Sequence, residues 1–125
     1  MKKIINTKNA PAPIGPYSQA VLAGTTLYVS GQVAFDPTSG SLILNSIQEE
    51  THRVMKNIEA ILSEAGYGFS DIVKCSIFVK DLNNFAAINE VYGEYVGESK
   101  PARETVEVAR LPRDVNVEIS CIAVK

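Results

Sequence analysis

Residues 100–121, Lys-Pro-Ala-Arg-Glu-Thr-Val-Glu-Val-Ala-Arg-Leu-Pro-Arg-Asp-Val-Asn-Val-Glu-Ile-Ser-Cys, read as two extended segments with a turn between them. Val106 and Val108 alternate with Arg103, Thr105 and Glu107, so the first segment has one apolar and one polar face. In the second, Val115, Val117, Ile119, Cys121 and Ala123 form the apolar row, and Asn116, Glu118 and Ser120 point the other way. If the two strands pair in one sheet, Arg103 and Glu118 stand together on the face away from the core. A guanidinium and a carboxylate on one wall mark the place to look for chemistry.

The segments before this pair supply the rest of a sheet and its cover. Residues 2–6 suit a short edge strand. Residues 9–17 hold Pro11, Pro13, Pro16 and Gly15, which rules out a helix or central strand and predicts a strap that holds Tyr17 with little entropy left to lose. Residues 18–23 and 26–33 read as a hairpin around Gly24-Thr25, and Gly31 inside the second arm predicts a bulge or a close approach of another group. Asp36 to Gly40 is a turn. Ser46-Ile-Gln-Glu49 has capping-box spacing and opens a helix with Ile47, Thr51, Val54, Ile58, Ile61, Leu62 and Ala65 inward and Gly66 as its stop. His52, the single histidine, falls on the flank of that stripe and reads as a solvated surface residue.

Residues 71–80 read as a strand with Val73, Cys75, Ile77 and Val79 on one face and Lys74, Ser76, Phe78 and Lys80 on the other. Asp81 to Asn84 offers caps for a second helix whose inner face carries Phe85, Ile88, Val91, Tyr92 and Tyr95, with Gly97 at its end. Two helices cannot cover both faces of a sheet this size, so they cover one. Phe78, Ile122 and Val124 on the uncovered face argue for a partner, and self-association is the economical one.

Composition narrows the function classes. The chain has 125 residues, enough to bury roughly two-thirds of its unfolded surface as one domain. Its formal net charge is −2, so no global field draws it to nucleic acid or anionic lipid. No basic stripe interleaved with aromatics and no histidine pair supports RNA cleavage. No segment suits a membrane span or signal peptide, and the expected location is cytoplasmic. Cys75 and Cys121 lack metal-ligand or redox spacing and read as reduced core thiols. Nucleotide-binding glycine loops, zinc motifs and nucleophile elbows are absent, so neither metal nor cofactor is expected. An arginine on a strand grips a small carboxylate through two parallel hydrogen bonds, and a glutamate across the pocket orients or deprotonates a water. The same two residues equally make a plain cross-strand ion pair.

Gly15-Pro-Tyr17-Ser-Gln, Ser30-Gly-Gln32, Val79-Lys-Asp-Leu-Asn83 with Phe85 and Asn89, Pro101-Ala-Arg103, Val106-Glu-Val-Ala-Arg-Leu-Pro112 and Val117-Glu118-Ile119 occur in order over nearly the whole chain. Together they resemble the RidA/YjgF family of enamine/imine deaminases, once labelled L-PSP endoribonucleases. The resemblance implies a chorismate-mutase-like (YjgF-type) α+β fold over residues 1–125, with a mixed sheet of about six strands and two helices on one face. It also implies a homotrimer with a central β-barrel and active sites between subunits. The implied activity is cofactor-free hydrolysis of 2-aminoacrylate and 2-aminocrotonate, or their imines, to 2-keto acids and ammonia (2-iminobutanoate/2-iminopropanoate deaminase). By the same resemblance Arg103 binds the substrate carboxylate and Glu118 positions the attacking water. Tyr17, Ser30, Gly31, Asn89 and the backbone of Thr105 fall at or near the pocket. Thr105 stands where many relatives have cysteine, Glu104 where serine is common and Ser120 where a second glutamate is common. Strand alternation turns Glu104 away from Arg103. Two rivals remain: a ribonuclease or translation inhibitor acting on mRNA, and a non-catalytic binder of small carboxylates.

Overall fold

The computed structural model describes residues 1–125. In chain order the elements are β1 (Lys2–Ile5), β2 (Ala20–Ala23), β3 (Thr26–Gln32), β4 (Phe35–Asp36), β5 (Ser41–Leu42), α1 (Ile47–Glu64), β6 (Ile72–Val79), α2 (Phe85–Val96), β7 (Ala102–Glu107) and β8 (Val117–Val124). Six strands form one sheet in the order β1-β2-β3-β8-β6-β7, and β4 pairs with β5 in a separate two-stranded ribbon. Only β6 and β7 run parallel, joined by α2 as the crossover; the other pairs of the large sheet are antiparallel. The fold is the expected α+β arrangement, with a mixed six-stranded sheet and both helices on one face.

Local chemistry explains the element ends. Ser46 caps α1, its Oγ accepting from the Glu49 N–H at 3.1 Å. After α1 the chain turns at Gly66 (φ +80°), where the Tyr67 N–H reaches back to the Leu62 carbonyl at 2.8 Å. Asp81 accepts from the Asn83 N–H at 2.9 Å and starts the turn that leads into α2. The core lies between helices and sheet. Val54, Met55, Ile58, Ile61 and Leu62 of α1 pack on Leu27, Val29, Cys75, Ile77, Ile119, Cys121 and Ala123. Cys75 and Cys121 are register partners, buried and unlinked. No helix is long and apolar enough to cross a membrane.

Four expectations need correction. Val73 is 46% exposed, and Ile72 takes the buried place instead. The register of β6 against β8 shifts between Ile72 and Lys74, and this irregularity flips the alternation. His52 is not a solvated surface residue: it is half-buried, with Nδ1 2.9 Å from the Tyr95 hydroxyl and the two rings edge to face. Val106 does not face the core; it pairs with Phe78 on the uncovered face and is 40% exposed.

The fourth correction bears on function. β7 and β8 do not pair, because β6 lies between them. Register partners share a face, and Arg103 is partnered with buried Cys75, so it projects on the helix side of the sheet. Glu118 is partnered with Phe78 and projects on the uncovered side. Within one chain the two groups stand on opposite faces. The uncovered face is as apolar as anticipated: Val21, Tyr28 and Ile122 form one row across it, beside Phe78 and Val124.

Candidate active site

The structure gathers the candidate residues into two clusters. The first is a cleft of about 480 Å³ whose lining includes Tyr17, Ser30, Gly31 and Glu118. Its outer wall is the proline-rich strap, tied down by Gln19. That buried amide accepts from the Thr7 N–H at 2.7 Å and donates to the Thr7 and Pro11 carbonyls at 3.0 and 2.9 Å. Ser30 extends the tie: its Oγ donates to the Ser18 carbonyl at 2.6 Å and its N–H to the Gln19 carbonyl at 2.9 Å. Tyr17 is thereby held beside the start of the bulge.

Gly31 sits where the register of β3 against β8 shifts, between Val29 and Gln32. A Cβ there would meet the Glu118 side chain, 2.9 Å from Cδ and 3.1 Å from Cγ. Both anticipated reasons for a glycine are therefore present. Glu118 fills the space that the missing side chain leaves. It is half-buried and pairs with no cation, and burial pushes its carboxyl above the ordinary glutamate range. The start of β8 is anchored from behind by Glu50, which is fully buried in α1. Its two oxygens accept from the Asn116 N–H at 2.8 Å and the Asn116 Nδ2 at 2.7 Å.

The second cluster surrounds Arg103 on the edge strand β7. Phe85, Asn89 and Tyr92 stand at i, i+4 and i+7 on α2, one stripe of the helix. The Arg103 guanidinium carbon lies 5.4 Å from the Phe85 ring centre and 5.3 Å from that of Tyr92. Its Nη1 donates to Asn89 Oδ1 at 2.6 Å. No carboxylate pairs with it, since the three ion pairs of the chain join Arg53 to Asp36, Lys74 to Glu104 and Arg110 to Asp114. A shallow cleft of about 510 Å³ opens beside Asn89, Tyr92, Lys100, Pro101 and Arg103.

Thr105 follows on the same face, and its Oγ1 is buried without a hydrogen-bond partner, as is the Tyr92 hydroxyl. Burial also raises the Tyr92 phenol and the Cys75 thiol beneath it, so both stay protonated. Glu104 does turn away from Arg103: it holds Lys74 at 2.8 Å and Ser76 on the uncovered face, and these two bonds lower its carboxyl.

Tyr17, Ser30, Gly31 and Glu118 thus share one cleft, while Asn89 and Arg103 share another with Thr105 alongside. The two half-sites do not meet within the chain. Sequence reasoning missed Gln19 and Glu50, whose types ordinarily mean solvent; their only local signals were the motif beside Tyr17 and an acidic first helical turn. No group of three or more His, Cys, Asp or Glu side chains gathers as metal ligands would.

A family model described as Endoribonuclease L-PSP matches residues 7–125. The chain belongs to the RidA/YjgF family. A RutC family protein from Pyrococcus horikoshii is 54% identical over 125 residues, covering 100% of this chain and 99% of its own length. A family relative from Mus musculus named 2-iminobutanoate/2-iminopropanoate deaminase is 46% identical, covering 100% of this chain and 93% of its own. Among solved structures, a protein of the conserved Rid family from Yersinia pestis superposes with a TM-score of 0.97 at 45% identity, covering 100% of both chains.

Proposed function

We propose that this member of the family is a 2-iminobutanoate/2-iminopropanoate deaminase whose active site is completed between copies of the chain. Arg103 and Asn89 come from one copy and Tyr17, Ser30, Gly31 and Glu118 from its neighbour, in a cytoplasmic homotrimer packed through the uncovered sheet faces. The observation that carries the reading is the pair of unneutralised charges. Arg103 is preorganised by two aromatic rings with no anion to bind, and Glu118 is desolvated with no cation to answer it. The deaminase name of the mouse relative supports the substrate class.

The chemistry needs little beyond these groups. Arg103 grips the carboxylate of a 2-imino acid through parallel hydrogen bonds and fixes the reacting carbon. Glu118, with its raised proton affinity, takes a proton from a water as the oxygen adds to C2. It passes that proton to nitrogen, then takes the hydroxyl proton of the resulting carbinolamine and delivers it to nitrogen as the C–N bond breaks and the C=O bond forms. Imine and water become 2-keto acid and ammonia, and no electrons change hands. An enamine enters the same path after protonation at carbon.

The test supplies 2-aminoacrylate from serine, or 2-aminocrotonate from threonine, with a pyridoxal-dependent dehydratase and follows keto-acid release. The protein speeds release, Arg103→Ala abolishes the effect and Glu118→Ala weakens it severely. Equal rates with and without Arg103 would end the proposal. A carboxylate binder without turnover would keep ligand affinity and show no acceleration.

A further inference from the structure

The cleft around Glu118 holds a second charged group that the proposed reaction leaves unused. Arg113 lies in the one-turn helix Pro112–Asp114 just before β8, and it lines the same cleft. Its backbone is left-handed (φ +62°), as is that of Asp114 (φ +56°), a conformation that L-residues with side chains rarely adopt and that clusters at functional sites. The neighbouring cation, Arg110, is neutralised by Asp114 at 2.7 and 3.2 Å. Arg113 has no such partner. Its guanidinium carbon rests 4.9 Å from the centre of the Phe35 ring, which fixes the group without quenching its charge.

Glu118 does not supply the missing anion. None of the chain's three ion pairs joins the two, and burial alone raises the Glu118 carboxyl, so the groups share the cleft without pairing. Ile14, Val33, Phe35 and Pro112 also line this cleft as apolar surface. The cleft thus suits a ligand with methylenes on the apolar wall and a negative group at the end.

We infer that Arg113 is a second anion-binding residue of this cleft, selecting 2-imino acids whose side chain ends in a carboxylate. This deepens the deaminase reading and rests on it for the other end of the substrate, where Arg103 of a second copy holds the α-carboxylate. A planar guanidinium on an aromatic ring matches a carboxylate edge to edge, which a lysine in its place would not.

The experiment compares two imines of equal chain length, from glutamate and from norvaline, each made in situ by an amino-acid oxidase with keto-acid release followed. The wild-type protein favours the glutamate-derived imine in kcat/KM. Arg113→Gln lowers the ratio of the two values about tenfold or more, and Arg113→Lys restores part of it. An unchanged ratio overturns the inference, and so does an equal loss on both imines, the mark of a distorted turn. Calorimetric titration with glutarate and with pentanoate gives a readout free of turnover. If glutarate binds no tighter than pentanoate, or equally to Arg113→Gln, the anion site is refuted. If the wild-type protein hydrolyses neither imine yet binds glutarate in an Arg113-dependent way, the deaminase reading fails and the anion site stands.

Discussion

Mixing two inactive variants tests whether the active site spans two chains. Arg103→Ala removes a group on the helix side of the sheet, and Glu118→Ala removes one on the uncovered side. Loss of two charge-assisted hydrogen bonds to the substrate carboxylate costs about 3–5 kcal/mol, so Arg103→Ala alone loses about 10²–10⁴-fold in kcat/KM. Now let the two variants be co-expressed in equal amounts and assemble at random. In a cyclic trimer each cleft takes Arg103 from one chain and Glu118 from the next. Each contributor is intact in half of the cases, so about one quarter of the clefts are complete. The mixture therefore recovers about a quarter of wild-type turnover, far above the sum of its parts. The assay is keto-acid release from the dehydratase-coupled reaction, with native mass spectrometry to verify mixed trimers. If mixed trimers form and turnover stays at the background of the single variants, the shared-site argument is wrong. Sedimentation of the wild-type protein as a monomer would be equally damaging.

Three further outcomes follow from the geometry around Glu118. Gly31→Ala places a methyl group against the Glu118 carboxyl, so turnover falls more than tenfold while stability drops only about 1–3 kcal/mol; urea titration and the coupled assay measure the two effects. Glu50→Ala leaves both Asn116 donors without their acceptor inside the protein and costs about 3–5 kcal/mol in urea unfolding, whereas Glu50→Gln keeps one acceptor and loses less. Glu118→Gln moves stability the other way. A carboxyl whose folded pKa lies above its unfolded value holds its proton more tightly when folded, so its ionisation opposes folding. The variant should melt higher than wild type at neutral pH, and the gain should vanish as pH falls through Glu118's raised pKa to below the ordinary glutamate range. A gain that persists at low pH would contradict the desolvation account.

What could be read from the sequence divides along local and non-local lines. The boundaries of α1 rest on Ser46 and Gly66, and the hairpin on Gly24; each acts within a few residues, so each is visible in the chain. Gly31 announced a bulge for the same reason. The face of Arg103 was not visible. Alternation along 100–108 shows two faces but not which of them meets the helices, and an apolar uncovered sheet lets Val106 imitate a core residue. Deciding the matter takes the register of a parallel pair built across α2, which no short window contains. His52 and Glu50 failed differently. Polar residue types ordinarily mean solvent, and only the arrival of Tyr95 or Asn116 from more than forty residues away makes them interior partners.

The separation of the two charges has an energetic consequence for the proposed enzyme. Had Arg103 and Glu118 shared one wall of a single chain, they would have formed an ordinary cross-strand ion pair. A substrate carboxylate would then have to displace Glu118 from the guanidinium, and Glu118, stabilised as an anion, would be a weaker base. Opposite faces avoid both losses. Arg103 stays charged on its bed of Phe85 and Tyr92, hydrogen-bonded only to the neutral amide of Asn89. Glu118 keeps the raised proton affinity that burial gives it. Within one chain the sheet is the insulator, and the two groups meet only across the cleft that a second copy completes. On this argument, a cation introduced beside Glu118 would lower its pKa and shift the acid limb of the rate profile downward. Ser30→Lys, from the neighbouring wall of the cleft, is the substitution to make. A limb that stays in place, with the variant folded and active, would show that Glu118 does not govern the rate.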